Sequence, residues 1–492
     1  MKFNEFENYA KNYKIIPVYE KITGDLLTPV LAYLKLRSIG GYSFLLESVE
    51  GIGRLARYSF IGRDPKKIIQ NNGMKIKINQ NGSTKIIDQN IFAYLKHQVE
   101  SYNHPVIEDL PDFTGGIVGY LGFENVSLIE SVINFDGHDE VHNPDSIFGL
   151  FNSVIAFDHY KHQLIIIHNA HLDEHDSPES AYSAAKKEIT ILKNTLAKPI
   201  EYKSDFELTD KNIDQWQPEE FFENVKKSKK NIYDGDVFQL VLSKRFKSGY
   251  NGDPLNIYRA LRIINPSPYM YFMEFGNELT IIGTSPEDLV KVKEKNATIL
   301  PIAGTRKRGK TPDEDKSLEE NLLNDTKEIA EHQMLVDLAR NDLGRVCNYD
   351  TVRLTEKMSI HRFSHVMHIV SRVEGILRED KNCVDALTAS FPAGTVSGAP
   401  KIRAIQLINQ YEKLKRGVYA GAVGYINFSG NLDMCIAIRT LFAKDNTVYW
   451  QAGAGIVADS DPKLELKEIN NKSAVLLSAL KYAEVIDENT ND

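Results

Sequence analysis

At 492 residues, 42% hydrophobic and 26% charged, the chain has the composition of a soluble globular protein, long enough for two or three ordinary domains or one unusually large layered one. Its formal net charge of -8 carries no basic footprint for nucleic acid, and no apolar run approaches the roughly 20 residues that span a bilayer. Cys347, Cys383 and Cys435 are scattered without a CxxC, and the acidic N-terminal stretch has no export core; a disulfide framework or structural zinc is not expected, and a cytoplasmic protein is.

In chain order, residues 43–48 read as a strand running into a turn at Gly51 and Gly53. Residues 76–79 and 85–87 alternate around Asn81-Gly82, a hairpin signal. The glycine-rich apolar run 115–122 reads as a closely packed strand rather than a nucleotide loop, because no helix pattern follows it. A strand is expected over 164–168 and a helix over 178–196. The polar stretch 198–217 suggests a boundary near residue 205, dividing the chain into 1–205 and 206–492. Pro218-Glu-Glu then opens a helix. A strand follows at 237–243 and a loop at 265–268. Residues 317–347 carry apolar positions at three- and four-residue spacings and predict one long helix. Residues 420–428 and 434–442 flank Ser429-Gly-Asn and predict a β-hairpin with Arg439 on its second strand.

Two carboxylate pairs carry the strongest chemical signal. Glu328-Ile-Ala-Glu331 and Glu465-Leu-Lys-Glu468 each stack two acids on one helix face, and each runs into apolar residues. A solvated face accounts for either pair alone. A carboxylate on a buried-facing stripe, however, is costly unless paired or metal-bound. Two such helices face to face would supply oxygen ligands suited to Mg²⁺. A di-iron bundle would need Glu-x-x-His, which neither pair has. The glycine pair Gly453-Ala454-Gly455 ahead of the second helix suggests backbone amides open to an anion. Arg439, among Ile436, Ile438 and Leu441, likewise calls for an anion. Residues 304–311 match the P-loop pattern, but the acidic run after Thr311 would repel a triphosphate; a basic loop or a lid over an anionic substrate fits better. His368 lies on an apolar segment, where a lone histidine is usually a core residue. Residues 391–401 form a loop that ends at a helix start.

These segments together resemble the chorismate-utilising enzymes, and within them the anthranilate synthase component I family. The matching blocks are Gly283-Thr-Ser-Pro-Glu287, Pro301-Ile-Ala-Gly-Thr305, residues 325–342, Met367-His-Ile-Val-Ser-Arg372, the 391–401 loop and residues 453–472. The resemblance implies an α+β fold: a large composite antiparallel β-sheet core, helices packed outside and an active site in a deep cleft. It implies Mg²⁺ held by Glu331 and Glu468, with Glu328 and Glu465 supporting it. It implies Glu287 as general acid and His368 as the group needed for loss of pyruvate. Gly304, Thr305, Tyr419, Arg439, Gly453, Ala454, Gly455 and Lys472 would then lie on the substrate. Enzymes that make the para isomer carry a lysine where Ala303 stands, and isochorismate formers carry one where Gln239 stands. Ammonia is therefore the expected nucleophile, delivered from glutamine by a separate amidotransferase subunit, anthranilate synthase component II, because no such domain is recognisable here. Ser48, Pro268, Tyr269 and Met270 match the family's elements for binding L-tryptophan as feedback inhibitor. Aminodeoxychorismate synthase component I and a non-catalytic tryptophan-sensing homologue remain the alternatives.

Overall fold

In the computed structural model, which describes residues 1–48, 57–202, 205–210, 218–362 and 366–487, two antiparallel sheets of twelve strands each are stacked between outer layers of helices. The expected Gly51–Gly53 turn and part of the polar 198–217 stretch lie outside the described residues. Three apolar clusters hold the layers together. One joins the first sheet (Ile16, Leu45, Phe272, Trp450) to helices through Ala185, Tyr258 and Leu476. A second joins the other sheet (Ile117, Val290, Val373) to helices through Leu95, Val336 and Leu387. The third fills the space between the sheets with Phe44, Tyr120, Phe151, Tyr271 and Phe442. Both sheets take strands from either side of residue 205.

Two strand ribbons cross from one sheet to the other, and they determine where the site forms. Leu279–Ser285 and Thr440–Lys444 pair in the first sheet, and their continuations Asp288–Lys293 and Leu432–Ile436 pair in the second. Tyr58–Arg63 with Ser153–Asp158, continued by Lys67–Asn72 and Ser146–Phe151, makes the same crossing. A strand can switch sheets only where its ladder is interrupted, so each crossing leaves a short unpaired corner. The predicted hairpin is thus corrected. Ala422–Asn427 and Leu432–Ile436 do pair, but the second strand stops at Ile436, and Arg439 adopts a left-handed conformation (φ 51°) before Thr440 joins the other sheet.

The single long helix expected over 317–347 is also corrected. It is two helices, Pro312–Leu323 and Thr326–Gly344, separated where the Asp325 side chain accepts from the amides of Lys327 (3.1 Å) and Glu328 (3.2 Å). An N-cap carboxylate stabilises a new helix start by about 1 kcal/mol, enough to interrupt a helix whose apolar pattern runs straight through. The Asn81-Gly82 hairpin forms as read, with both residues at positive φ (51° and 76°) between Lys75–Gln80 and Ser83–Asp88. The C-terminal helix Pro462–Val485 starts on the cap of Asp461 and buries Ile469, Ser473, Leu476 and Leu480 at helical spacing. Ser473 accepts the indole N–H of the fully buried Trp450 at 2.7 Å, fixing this helix over the Thr447–Ile456 strand.

The glycine-rich run is the strand Gly116–Leu121, packed as the sequence predicted. A Cβ on Gly119 would stand 2.0 Å from the Ile147 carbonyl oxygen of the neighbouring strand. Gly119→Ala is therefore expected to destabilise the fold by about 3 kcal/mol, the upper end of what overpacking costs. Urea unfolding monitored by circular dichroism would read the shift in midpoint.

Candidate active site

The corner of the first ribbon brings Glu287 and Arg439 together. Glu287 lies between the two strands of one crossing and Arg439 between those of the other, and backbone hydrogen bonds tie the crossings: Ile436 N–H donates to Glu287 O (3.0 Å) and Thr284 N–H to Arg439 O (3.1 Å). Burial pushes the Glu287 carboxyl above the usual carboxylate range, with Thr395, Lys472 and Arg439 opposing. Burial also raises the Tyr419 phenol, whose charged neighbours include Arg416, Glu287 and Arg439. A carboxyl whose pKa is raised by burial holds its proton to higher pH than an ordinary glutamate, which suits it to proton transfer.

One wall of the cleft is the end of the Thr447–Ile456 strand. Its pairing with Thr440–Lys444 stops at Trp450, while pairing with Gln239–Asn251 continues to Ile456, so the last six residues have a strand partner on one edge only. Gly453 and Gly455 are required there by close approach. A Cβ on Gly453 would lie 2.6 Å from the Tyr419 hydroxyl, and one on Gly455 would lie 2.4 Å from the Gln239 amide nitrogen. Lys472, on the Pro462–Val485 helix, donates to Gly453 O at 2.9 Å and pairs with Glu468 at 2.7 Å. The glycine pair thus makes space for side chains as well as exposing backbone at an unpaired edge. Gly455→Ala is expected to displace Gln239 and raise KM for the substrate about tenfold or more, the cost of losing one good polar contact in a closed site.

The two carboxylate pairs face each other across the cleft. Burial raises the protonation range of Glu331, and Glu328 and Glu468 push in the same direction, while Gln239 opposes by hydrogen bonding to it. Glu465 is raised likewise, by burial first, with Glu468 adding to it and Ser460, Lys327 and Lys472 opposing. Glu328 is held by Arg306 (3.1 Å), which also binds the helix cap Asp325 (2.8 Å). Glu331 and Glu465, raised by burial and by their acidic neighbours, belong to an oxygen donor set that a hard divalent cation would relieve. The chemistry of these residues fits such an ion. Among the described residues the one group of three or more ligand side chains already within 4.8 Å of one another lies elsewhere, at His171, Asp173 and Glu174. No three of Glu328, Glu331, Glu465 and Glu468 gather that closely.

His368 pairs in register with Thr305 across two strands. Its Nδ1 lies 3.0 Å from Gly304 O and 3.1 Å from Thr305 Oγ1, an arrangement that places the proton on Nδ1 and leaves Nε2 basic. Burial, offset in part by the Gly304 hydrogen bond, lowers its pKa, so the ring is neutral at physiological pH. Gly304 sits at a bulge with φ 69°, facing the Glu328 carboxylate. The P-loop match beside it dissolves. Its loop amides at Gly309 and Lys310 are already taken by Asp315 and Glu314 (2.8 and 2.7 Å), and Arg308 and Arg362 clamp the same Asp315, so the loop is pinned rather than lid-like.

Two residues of this site escape the sequence reading. Thr395, in the 391–401 loop, opposes Glu287, and nothing in its sequence context distinguishes it. Arg416 is fully buried behind the cleft. It donates to Val396 O (2.7 Å), Val241 O (2.8 Å) and Glu412 (2.7 Å), and its guanidinium lies 5.6 Å from the Tyr419 ring. A charged residue three positions before Tyr419 was the available signal.

Ser48, Pro268, Tyr269 and Met270 also come together. They line a cavity of ≈ 490 Å³ between the two sheets, behind the corner that carries Glu287. No helix among the described residues is long and apolar enough to cross a membrane.

Comparison with known proteins identifies the family. The chorismate binding enzyme family matches residues 44–478. The chain is 44% identical to anthranilate synthase component 1 of Acetivibrio thermocellus, over 98% of both chains. It is 42% identical to that of Aquifex aeolicus, over 99% of both. The crystal structure of anthranilate synthase component I from Streptococcus pneumoniae superposes with a TM-score of 0.76 at 37% identity, covering 93% of this chain and 99% of that one. A menaquinone-specific isochorismate synthase from Escherichia coli shares the fold at 20% identity, with a TM-score of 0.71 over 97% of this chain and 99% of that one. From its strand-switching corner to its C-terminal helix, the chain belongs to the chorismate binding enzyme family, in the anthranilate synthase component I branch.

Proposed function

We propose that the protein converts chorismate and ammonia to anthranilate and pyruvate, as the first committed step of tryptophan biosynthesis in the cytoplasm. The observation that supports this best is the cleft itself: a raised carboxyl, Glu287, with Arg439 and Lys472 as its cations, and Lys472 paired in turn with Glu468 of the carboxylate-bearing C-terminal helix. Chorismate is a dicarboxylate. Arg439, Tyr419 and the amides of Gly453, Ala454 and Gly455 would take its enolpyruvyl carboxylate, with Gly304, Thr305 and Lys472 also on the substrate. Mg²⁺ held by Glu331 and Glu468, with Glu328 and Glu465 beside it, would supply the positive charge that binds the ring carboxylate. Glu287 donates its proton to the departing C4 hydroxyl as ammonia attacks C2, and water leaves. Neutral His368 then assists the loss of pyruvate that makes the ring aromatic. Ala303 and Gln239 offer no lysine, which leaves ammonia as nucleophile and the ortho product as outcome.

Ammonia would come from glutamine through a partner amidotransferase subunit. L-tryptophan would inhibit from the cavity between the sheets, so that 1–205 contributes regulation and 206–492 catalysis. Three free, buried cysteines suit a reducing compartment. The purified chain, given chorismate, Mg²⁺ and an ammonium salt at alkaline pH, should form fluorescent anthranilate, and glutamine alone should not replace ammonium. No product would overturn the enzyme reading in favour of a tryptophan sensor. An amine at the para position would point to the aminodeoxychorismate branch.

A further inference from the structure

The cavity behind Glu287 contains four carboxylates, and three of them are satisfied. Glu47 accepts from the Tyr258 hydroxyl (2.5 Å) and pairs with Arg262 (3.2 Å). Asp433 accepts from Tyr269 (2.9 Å) and pairs with Lys291 (2.6 Å). Asp112 pairs with Lys293 (2.8 Å). The fourth, Asp288, is only 8% exposed, and its Oδ1 has no hydrogen-bond partner among the described residues. A buried carboxylate oxygen without a donor is costly, and a cavity that opens onto it is suited to a ligand that brings one.

Asp288 is also the residue after Glu287. The strap Pro286-Glu287-Asp288 is the corner between the sheets: Pro286 and Asp288 line the cavity, while Glu287 faces Lys472 and Arg439 in the cleft. A register shift between Asp288 and Val290 keeps this strap out of the regular ladder. Burial pushes the Asp288 carboxyl up to about 7; Asp433 and Glu287 add to the rise and Lys291 opposes it, so its charge state and that of Glu287 are coupled. A second link runs through Tyr271, another lining residue, whose hydroxyl is 2.6 Å from the Thr440 hydroxyl beside Arg439.

We propose that Asp288 anchors the ammonium group of the amino-acid effector, and that the Pro286–Asp288 strap carries its occupancy directly to Glu287. This rests on the reading of the cavity as the tryptophan site and specifies how that site recognises an amino acid and reaches the chemistry. Binding that favours one position or charge state of the strap biases Glu287 through this shared backbone, and linkage makes that coupling reciprocal.

Isothermal titration with L-tryptophan and with indole-3-propionate, which keeps the indole and carboxylate but lacks the ammonium, tests the anchor. The wild-type chain should prefer tryptophan by roughly tenfold or more, the value of a charge-assisted hydrogen bond. Asp288→Asn, and Asp288→Ser should the first not fold, should bring the two ligands close to parity. A preference that survives both substitutions overturns the proposal. If the wild-type chain binds neither ligand, the cavity reading itself falls, and the inference with it. The strap is tested separately. Glu287→Gln should weaken tryptophan binding by about fivefold or more at pH 8.5, whereas Glu468→Gln, in the same cleft but off the strap, should not. Equal effects in the two variants would remove the strap from the path.

Discussion

Replacing Glu287 by glutamine should lower kcat for ammonia-dependent anthranilate formation by about 100- to 10,000-fold, the contribution typical of a positioned general acid. Glutamine keeps the shape of the side chain and its place between the two crossings but has no proton to give the leaving hydroxyl. KM for chorismate should change far less, because Arg439, Tyr419 and the glycine edge would still hold the substrate. The pH profile supplies an independent check. Burial raises the Glu287 pKa, and the acid works only while protonated. Rates expressed against the concentration of free ammonia should therefore fall as pH rises through that raised value, and the fall should vanish from the residual rate of the variant. A variant with unchanged kcat would remove Glu287 from the proton transfer.

The second large effect concerns the facing carboxylates. Glu468→Gln should raise the Mg²⁺ concentration needed for half-maximal rate by at least roughly 100-fold, since Mg²⁺ sites rely on one or two carboxylates. The same groups make a prediction that needs no turnover. Glu331 and Glu465 have folded-state pKa values above those of the unfolded chain. Their contribution to stability is thus fully present below the ordinary glutamate value and is lost as pH rises through the raised ones. The metal-free protein should lose thermal stability on going from about pH 4.5 toward neutrality, beyond the trend common to all carboxylates. Millimolar Mg²⁺ should restore part of it in the wild-type chain by mass action, and less in Glu468→Gln. A melting temperature indifferent to Mg²⁺ at neutral pH would argue against a metal between these helices.

Much of this was legible in the chain because it depends on local spacing. The three-residue separation within each carboxylate pair, the Asn81-Gly82 turn, the packed glycine strand and the capped C-terminal helix all follow from geometry within a few residues. The errors came where a capping side chain or a distant strand outweighed the apolar pattern. The apolar spacing of 317–347 is continuous, yet the Asp325 cap and its Arg306 partner split the helix. Residues 434–442 alternate like one strand, yet Arg439 turns left-handed because two different sheets claim the residues on either side.

By itself, then, the sequence determined which elements form and which side chains share a face, since both are set by backbone periodicity. Only the tertiary structure decided that Glu287 and Arg439 meet at a corner, that the glycines at 453 and 455 exist to admit Tyr419 and Gln239, and that Asp288 Oδ1 is left without a donor among the described residues, next to Glu287. Those facts depend on segments far apart in the chain lying within a few ångströms. No local rule of spacing, capping or turn chemistry carries that distance.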